Sequence, residues 1–309
     1  YMLPYCNTTR WDTHCGAAYA PLYTFTCEEP ETWLDTEGAD APIPEYHSQA
    51  RAPGATDAVI QMYQTAKTLK EHILSSGMSW SMNETILNLG QATADNLPGQ
   101  MAQIMYMTRV PTVEMAERIV RGLDLFAAQA AAITHCEWKR AWVCKSRPGL
   151  ANHAMARLAY QNLVEAGPPR FDGEAIRLAQ ELQKSLGLRP MAKPYIAEIE
   201  RLIDPQDAER SVRQVLPSTQ SHFTSDDYTD ITWQTPTVRL YIGRPALKPP
   251  PGGSAYPDWV LNALGGMPAA IDPMTACAGK TVAGTIIELL CEPRHLADAR
   301  AEFVRRTGG

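Results

Sequence analysis

The sequence lacks the features that mark membrane-spanning and nucleic-acid-binding proteins. Its apolar runs are short: residues 285–291, for example, contain Glu288 and fall far short of the roughly 20 apolar residues that cross a bilayer. Its net charge is −6, and no stripe of Lys and Arg with interleaved aromatic residues occurs. Because phosphate binding depends on clustered basic side chains, this argues against a nucleic-acid partner. We therefore expect neither a membrane nor a nucleic-acid partner.

Disulfide and targeting signals are also missing. The seven cysteines follow neither a disulfide framework nor a zinc-finger spacing, and no charged-then-apolar secretory segment opens the chain. A reducing cytoplasm is the simplest expectation. Cys6, Cys15 and Cys27 lie close together in sequence, so a disulfide among them stays open. The apolar fraction of 45% is typical of a globular protein, and 309 residues suffice for two domains.

The region 46–145 alternates between helical and strand periodicity. Apolar residues recur at three- and four-residue steps from Ala58 to Ile73, which predicts an amphipathic helix. Residues 78–89 and 101–110 show the two-residue period of strands. A second helix is expected after Pro111, followed by a strand near 138–143. A sheet with both helices on one face leaves the other face, or an edge, open to a partner.

Several short motifs follow one another in a recognisable order. They are Tyr46-His47, Ala52-Pro53-Gly54, Asn96-Leu97-Pro98, Met105-Tyr106-Met107-Thr108-Arg109, Tyr160-Gln161-Asn162-Leu163, Gly167-Pro168-Pro169 and Ser225-Asp226-Asp227-Tyr228-Thr229-Asp230-Ile231-Thr232-Trp233. In this order they resemble the co-catalytic zinc amidohydrolases of peptidase family M-20, the aminoacylase and carboxypeptidase-G type. The nearest likeness is to the p-aminobenzoyl-glutamate hydrolase branch.

The resemblance implies a fold and an assembly. The fold is α+β, with a ferredoxin-like lid and dimerisation unit of four strands and two helices at 46–145. Residues 1–45 and 146–309 would form a reduced α/β amidohydrolase-like domain. A homodimer through the lid is expected, because a half-buried sheet or helix pair tends to be covered by symmetry.

The sequence departs from the family at its metal site. Members of the family hold two zinc ions with a His-x-Asp motif, a bridging Asp, a Glu-Glu pair and a late histidine. None of the seven histidines here is followed two residues later by Asp. Ala255-Tyr256-Pro257-Asp258-Trp259 stands where the late histidine is expected. We therefore predict no metal ligand, and we expect zinc as a cofactor only if the chain is a true hydrolase.

Three residues are candidates for catalysis. His47 resembles the family histidine that reaches from the partner's lid and stabilises the developing oxyanion. A satisfied structural histidine is the alternative. Glu28 and Glu29 resemble the pair that supplies a general base and a metal ligand, although a surface loop would also explain them. His14, in His14-Cys15-Gly16, is similar to a ligand-bearing segment of the family, with the same alternative.

Three further residues are candidates for substrate binding. Asn96 and Arg109 resemble the residues that hold the substrate carboxylate, a role that suits a forked guanidinium. Arg109 could instead be an exposed charge at a strand end. Asp227 lies in the acidic motif that follows, where a turn is expected.

Three functions remain open at this stage. The first is a divergent amidohydrolase-like protein that binds a small acidic or amide-bearing molecule and acts without the standard zinc pair. The second is a true metal-dependent hydrolase of N-acyl amino acid or peptide C–N bonds, with ligands drawn from His14, Glu28, Glu29 and Asp227. The third is a non-catalytic dimerisation or regulatory module.

Overall fold

The computed structural model describes residues 6–27, 53–72, 80–91, 97–216, 222, 226–250, 252 and 255–308. The chain divides into two compact units. Unit 1 comprises Tyr1–His14, Leu150–Ser218 and Ile231–Gly309, and unit 2 comprises Cys15–Gly149 and Thr219–Asp230. Both helices and strands contribute, which confirms the mixed helix-and-sheet class expected from the sequence.

The regular elements are as follows. The strands are β1 (Thr8–Thr9), β2 (Ala17–Thr26), β3 (Ser81–Asn88), β4 (Met101–Val110), β5 (Glu137–Ser146) and β6 (Leu240–Tyr241). The α-helices are α1 (Ala55–His72), α2 (Val113–Thr134), α3 (His153–Ala166), α4 (Gly173–Ser185), α5 (Pro205–Val215), α6 (Trp259–Gly266), α7 (Pro268–Cys291) and α8 (Pro293–Thr307). Short 3₁₀ helices span Ala197–Glu200, Asp227–Thr229 and Ile231–Trp233.

Unit 2 is built on an antiparallel sheet of order β3-β4-β2-β5. Helices α1 and α2 pack on one face of it. Alternate residues of the two central strands are buried beneath these helices, as the two-residue period of a strand requires. The largest fully buried side chains of this core are Tyr19, Tyr23, Phe25, Met62, Met82, Ile104, Tyr106, Ile119 and Leu123.

The ends of the two helices are set by side-chain and backbone caps. The Asp57 carboxylate accepts a hydrogen bond from the Gly54 N–H at 2.9 Å, just before α1. The Thr112 hydroxyl accepts one from the Met115 N–H at 3.2 Å and caps the N-terminus of α2. His135 ends α2 in the left-handed conformation, at φ 52°.

The strand that completes this sheet lies upstream of the region 46–145. β2 belongs to unit 2, whereas the motifs predict that all of 1–45 folds with 146–309. The sequence pattern does not reveal that β2 belongs to this sheet, because β2 is one of its central strands. Residues 17–21 are all buried, so the alternation that would mark a strand is hidden there. Pro21 weakens the signal further, because Pro is disfavoured in strands, and the register with β5 shifts between Ala20 and Pro21.

Unit 1 is mostly helical, with a two-stranded sheet formed by β1 and β6. The Asn7 amide donates to the carbonyl oxygens of Ile199 and Arg201, both at 3.0 Å, and its oxygen accepts from the Gly243 N–H at 2.8 Å. One buried side chain thus joins three separate segments. Helix α3 packs along α7 and α8. A second core includes Phe171, Tyr195, Ile199, Val260 and Leu264.

Helix α7 is apolar, although most of it is not buried. Among the described residues it is the one helix long and apolar enough to cross a membrane, yet only 17% of that stretch is buried. Ile286, Ile287 and Leu290 are exposed on it, while Cys277, Thr281 and Thr285 face α3 and its neighbours. Length and composition alone do not distinguish a membrane helix from one that packs against protein.

Candidate functional site

Of the residues predicted to act in catalysis or to bind substrate, two fall within the described part of the chain. Arg109 lies on β4 and Asp227 begins the 3₁₀ helix Asp227–Thr229, both in unit 2. His47, Glu28, Glu29 and Asn96 lie outside the described residues. Their predicted roles therefore stay predictions.

The face of the unit 2 sheet opposite α1 and α2 carries the second set of alternating side chains. Because Ile104, Tyr106 and Val110 point into the helix-covered core, their neighbours point to the other side. We call this surface the open sheet face; Ala18 and Ala20, at its β2 end, are nevertheless buried. Its residues are Ala18, Ala20, Leu22, Thr24, Ser81, Asn83, Thr85, Gln103, Met105, Met107, Arg109, Lys139, Ala141 and Cys144.

Arg109 stands near one end of the open sheet face, half-buried. It pairs with Ser81 on β3 and Ala18 on β2. The backbone at Gly16 lies very close to the end of β4, because a Cβ on Gly16 would be 2.2 Å from the Val110 carbonyl oxygen. Only glycine allows β2 to begin against the end of β4, so Gly16 helps to set the surroundings of Arg109.

A turn held by several hydrogen bonds places Asp227 at the same end of the sheet as Arg109. The Asp226 carboxylate accepts from the Asp227 N–H at 2.8 Å, and the Cys15 N–H donates to the Tyr228 hydroxyl at 3.4 Å. Asp230 accepts from the Arg147 backbone N–H at 3.2 Å and from its guanidinium at 3.5 Å. The acidic motif is therefore anchored to the start of β2 and the end of β5.

Cys144 links these two residues electrostatically. It lies on β5 opposite Ala20 and is exposed. Partial removal of its sulfur from water nevertheless raises the pKa of the Cys144 thiol, and the charge of Asp227 raises it further. The Arg109 charge and a hydrogen bond with the Ala20 backbone oppose this rise. Both charged residues thus act on one thiol, and we call Arg109, Asp227 and Cys144 the sheet-end cluster.

The chemistry of this cluster favours binding. A guanidinium can hold a carboxylate by two parallel hydrogen bonds, and a carboxylate can accept from an amide N–H or an ammonium group. The raised pKa keeps the Cys144 thiol protonated near neutral pH, which does not suit a thiolate nucleophile. Met105, Met107 and Leu22 provide an apolar surface beside the charges. Motif likeness pointed to Arg109 and Asp227, whereas Cys144 is found only through the strand register.

The donor set of the described residues does not fit a two-zinc site. In that part of the chain, no three His, Cys, Asp or Glu side chains lie close enough to hold a metal ion. Ala255 carries no donor, and the Tyr256 hydroxyl accepts a hydrogen bond from the buried Gln183 amide at 2.9 Å. His14 is buried in unit 1. Where the late histidine is expected, Tyr256 packs against the second core and Ala255 is exposed.

His153 is part of a network of ring stacking and hydrogen bonds within unit 1. Its ring stacks on Trp11 with centroids 3.9 Å apart, and Nε2 lies 2.7 Å from Asp12 Oδ1. The hydrogen bond with His153 is the largest effect on Asp12 and lowers the pKa of that carboxyl. Arg306 approaches the same ring at 3.2 Å and donates to Glu302 at 2.8 Å. The network joins the segment before β2 to α3 and α8.

Two of the cavities lined by described residues lie in unit 1. One of 540 Å³ is mostly apolar and includes Pro236, Leu296 and Phe303 in its lining. One of 410 Å³ lies between α3 and α8 and includes Arg157 and His295. Neither is lined by a residue predicted from the sequence to bind substrate or to act in catalysis.

Comparison with known proteins adds a relationship in sequence. No protein-family model matches the chain. It is 24% identical over 267 residues to one of the subunits of p-aminobenzoyl-glutamate hydrolase from Escherichia coli (strain K12), a match that covers 82% of this chain and 53% of the relative. The chain thus spans about half the length of that relative.

Solved structures overlap only distantly. An aminobenzoyl-glutamate utilization protein from Klebsiella pneumoniae matches at 13% identity and a TM-score of 0.36, over 52% of this chain and 36% of that one. A hydantoinase/carbamoylase family amidase from Burkholderia ambifaria matches at 13% identity and a TM-score of 0.31, over 49% and 33% of the two chains. The relationship therefore rests on the sequence match. The chain is a homologue of the p-aminobenzoyl-glutamate hydrolase subunit from Escherichia coli, and the predicted relationship to the M-20 amidohydrolases is confirmed.

Proposed function

We propose that the chain is a divergent M-20-type amidohydrolase-like protein that binds a small acidic or amide-bearing molecule. The molecule would lie on the open sheet face and be held at the sheet-end cluster. The observation that carries this proposal is the convergence of Arg109 and Asp227. They come from motifs far apart in sequence, yet the turn that carries Asp227 is hydrogen-bonded to Cys15 just before β2, and β2 begins beside the end of β4 that carries Arg109.

The arrangement of charge and apolar surface suggests how the ligand is oriented. The guanidinium of Arg109 would take a carboxylate, and Asp227 would accept an N–H from the amide or amine part of the ligand. Met105 and Met107, whose flexible side chains adapt to irregular apolar shapes, would contact its apolar part. The relative is named for a compound of this kind. p-Aminobenzoyl-glutamate joins an aromatic amide to an acid.

Calorimetric titration with p-aminobenzoyl-glutamate tests this site. Arg109→Ala should weaken binding at least tenfold, because a charged hydrogen-bonding partner contributes about 1.5–3 kcal/mol. Lys139→Ala removes a cation at the other end of the open sheet face and should change binding by less than about twofold. Equal weakening in the two variants would show a general charge effect, which would contradict a carboxylate site at Arg109.

We also propose that the chain acts without the standard zinc pair, either by altered chemistry that uses His47 and nearby acids or by binding alone. The support is the donor set, in which the described residues form no three-ligand group. Metal analysis of the purified full chain should find fewer than two zinc ions per chain. Two stoichiometric zinc ions, with loss of hydrolysis in chelator, would instead favour the true hydrolase.

Unit 2, in this proposal, is a ferredoxin-like lid through which two copies form a homodimer. The order strand, helix, strand, strand, helix, strand, with the sheet order β3-β4-β2-β5, supports it. Within the described part of the chain, β3 and β5 are the edges of this sheet. Such edges present backbone groups that a second copy can pair with. The cytoplasm remains the predicted location.

A further inference from the structure

Two cysteines face each other where β2 ends and β5 begins. Thr26 pairs with Glu137, so the same register, continued by one residue, places Cys27 opposite Cys136. The Cys27 N–H donates to Gln100 on the side of β4, at 2.8 Å, and the Cys136 N–H donates to Ala131 at 2.9 Å. The two cysteines therefore do not exchange backbone hydrogen bonds.

This kind of cross-strand position suits a disulfide. Directly opposite residues in a non-hydrogen-bonded pair have Cα atoms about 4.5 Å apart, with their side chains at closest approach. A disulfide requires Cα atoms roughly 4.4–6.8 Å apart. Residues at this register position therefore have the separation that a disulfide requires.

The side chains confirm that the thiols meet. Cys136 and Cys27 share a side-chain hydrogen bond, and the Cys136 thiol also contacts the Thr134 carbonyl oxygen at 3.5 Å. Cys27 is 4% exposed, whereas Cys136 is only partly buried against the core under α1 and α2. An oxidant would therefore reach Cys136 first and Cys27 second.

We propose that Cys27 and Cys136 form a reversible disulfide when the protein meets a small-molecule disulfide such as oxidised glutathione. The Cys136 thiolate attacks one sulfur of the oxidant, and one glutathione thiolate leaves. The Cys27 thiolate then attacks the Cys136 sulfur of the mixed disulfide, and the second glutathione thiolate leaves. The two protein thiols lose their protons to water, and the two thiolates that leave take up protons.

The disulfide would constrain the chain next to two predicted catalytic residues. It would close a loop of about 110 residues and so restrict the unfolded chain strongly. Cys27 directly precedes Glu28 and Glu29, two of the predicted catalytic residues. In a reducing cytoplasm such a bond is transient, which makes the pair a sensor of oxidation.

Peptide mapping of the full chain tests the proposal. The reduced protein is incubated with oxidised glutathione at about pH 8.5, because burial raises the pKa of Cys136 and only the thiolate reacts. Mass spectrometry without reductant should find the Cys27–Cys136 linked peptide. The unfolding midpoint should rise by about 5–10 °C and return with dithiothreitol.

Serine variants separate this bond from other thiol chemistry. Cys27→Ser and Cys136→Ser should abolish the shift in midpoint, while Cys144→Ser and Cys291→Ser, which remove exposed thiols, should retain it. Should Cys27→Ser or Cys136→Ser fail to fold, mapping of the oxidised wild type still decides. Oxidised wild type that carries only glutathione adducts, or only other cysteine pairs, would overturn the proposal.

Discussion

At the scale of single residues, Gly243 occupies a position that no side chain can share. A Cβ there would lie 2.2 Å from the Ile199 carbonyl oxygen, which is backbone and cannot rotate away. Gly243→Ala should therefore lower the free energy of unfolding by about 3 kcal/mol, measured in urea.

Gly265→Ala is the matched control for this variant. Gly265 lies within α6, and nothing stands within 4 Å of its added Cβ. Because Ala favours a helix over Gly, this change should be neutral or stabilise by about 1 kcal/mol. Equal destabilisation by both changes would show that the contact with Ile199 is not the cause.

The Asp12 carboxylate makes unit 1 sensitive to acid. The hydrogen bond with His153 holds the pKa of Asp12 below its ordinary value, with Arg306 and Arg213 acting in the same direction. A depressed pKa in the folded state stabilises above the unfolded value and loses that contribution as pH falls through the folded value. The stability difference between wild type and Asp12→Asn should therefore persist at neutral pH and vanish below the folded-state pKa.

Chemical unfolding at a series of pH values measures this difference. Asp298→Asn, which removes an exposed carboxylate of α8, serves as the control, and its difference from wild type should not follow the same profile. Because Asp12 is partly exposed, the effect is modest. A wild-type advantage that grows on acidification would contradict the assigned role.

At the scale of elements, helix α3 depends on its cap more than α2 does. The buried Asn152 accepts from the Met155 N–H at 3.0 Å and also donates to the Ala299 carbonyl oxygen of α8 at 2.8 Å. Asn152→Ala removes both bonds and should cost about 2–3 kcal/mol, whereas Thr112→Ala removes only the cap of α2 and should cost about 1 kcal/mol. Equal costs in denaturant unfolding would mean that the bond to Ala299 contributes nothing.

Elements with strong periodicity could be predicted from the sequence. β4 and α2 lie close to their expected positions, because alternation in one and three- and four-residue steps in the other persist over their full lengths. β2 has a weak strand pattern, because Pro21 and the burial of residues 17–21 hide its alternation. Helix α5 was not predicted. Its residues are mainly polar, and its Asp204 cap precedes Pro205 in a region that showed little apolar pattern.

The candidate site was predictable to a similar degree. Arg109 and Asp227 could be named because motif likeness points to individual residues. Cys144 could not, since its position beside them depends on pairing with β2, which is a long-range feature of the sheet. The opposed thiols of Cys27 and Cys136 escaped prediction for the same reason. Sequence patterns reveal which face a residue occupies but not which distant strand it meets.

At the scale of the whole molecule, the two edges of the unit 2 sheet differ in how well they could pair with a second copy. β5 carries Lys139, Arg140 and Lys145, and basic residues on an edge strand discourage pairing between sheets. β3 carries no Lys or Arg and exposes Ile86 and Leu87. If unit 2 forms the proposed homodimer, β3 is therefore the edge at which the copies meet.

Light scattering on the full chain can decide between the edges. Leu87 and Val143 are matched positions, 52% and 56% exposed, on β3 and β5 respectively. The wild type should be a dimer. Leu87→Lys should shift it towards monomer, because two added charges would face each other across the interface, and Val143→Lys should leave the mass unchanged. A monomeric wild type would remove the lid dimer and with it the proposed cross-subunit role of His47, whereas dissociation by Val143→Lys alone would move the interface to β5.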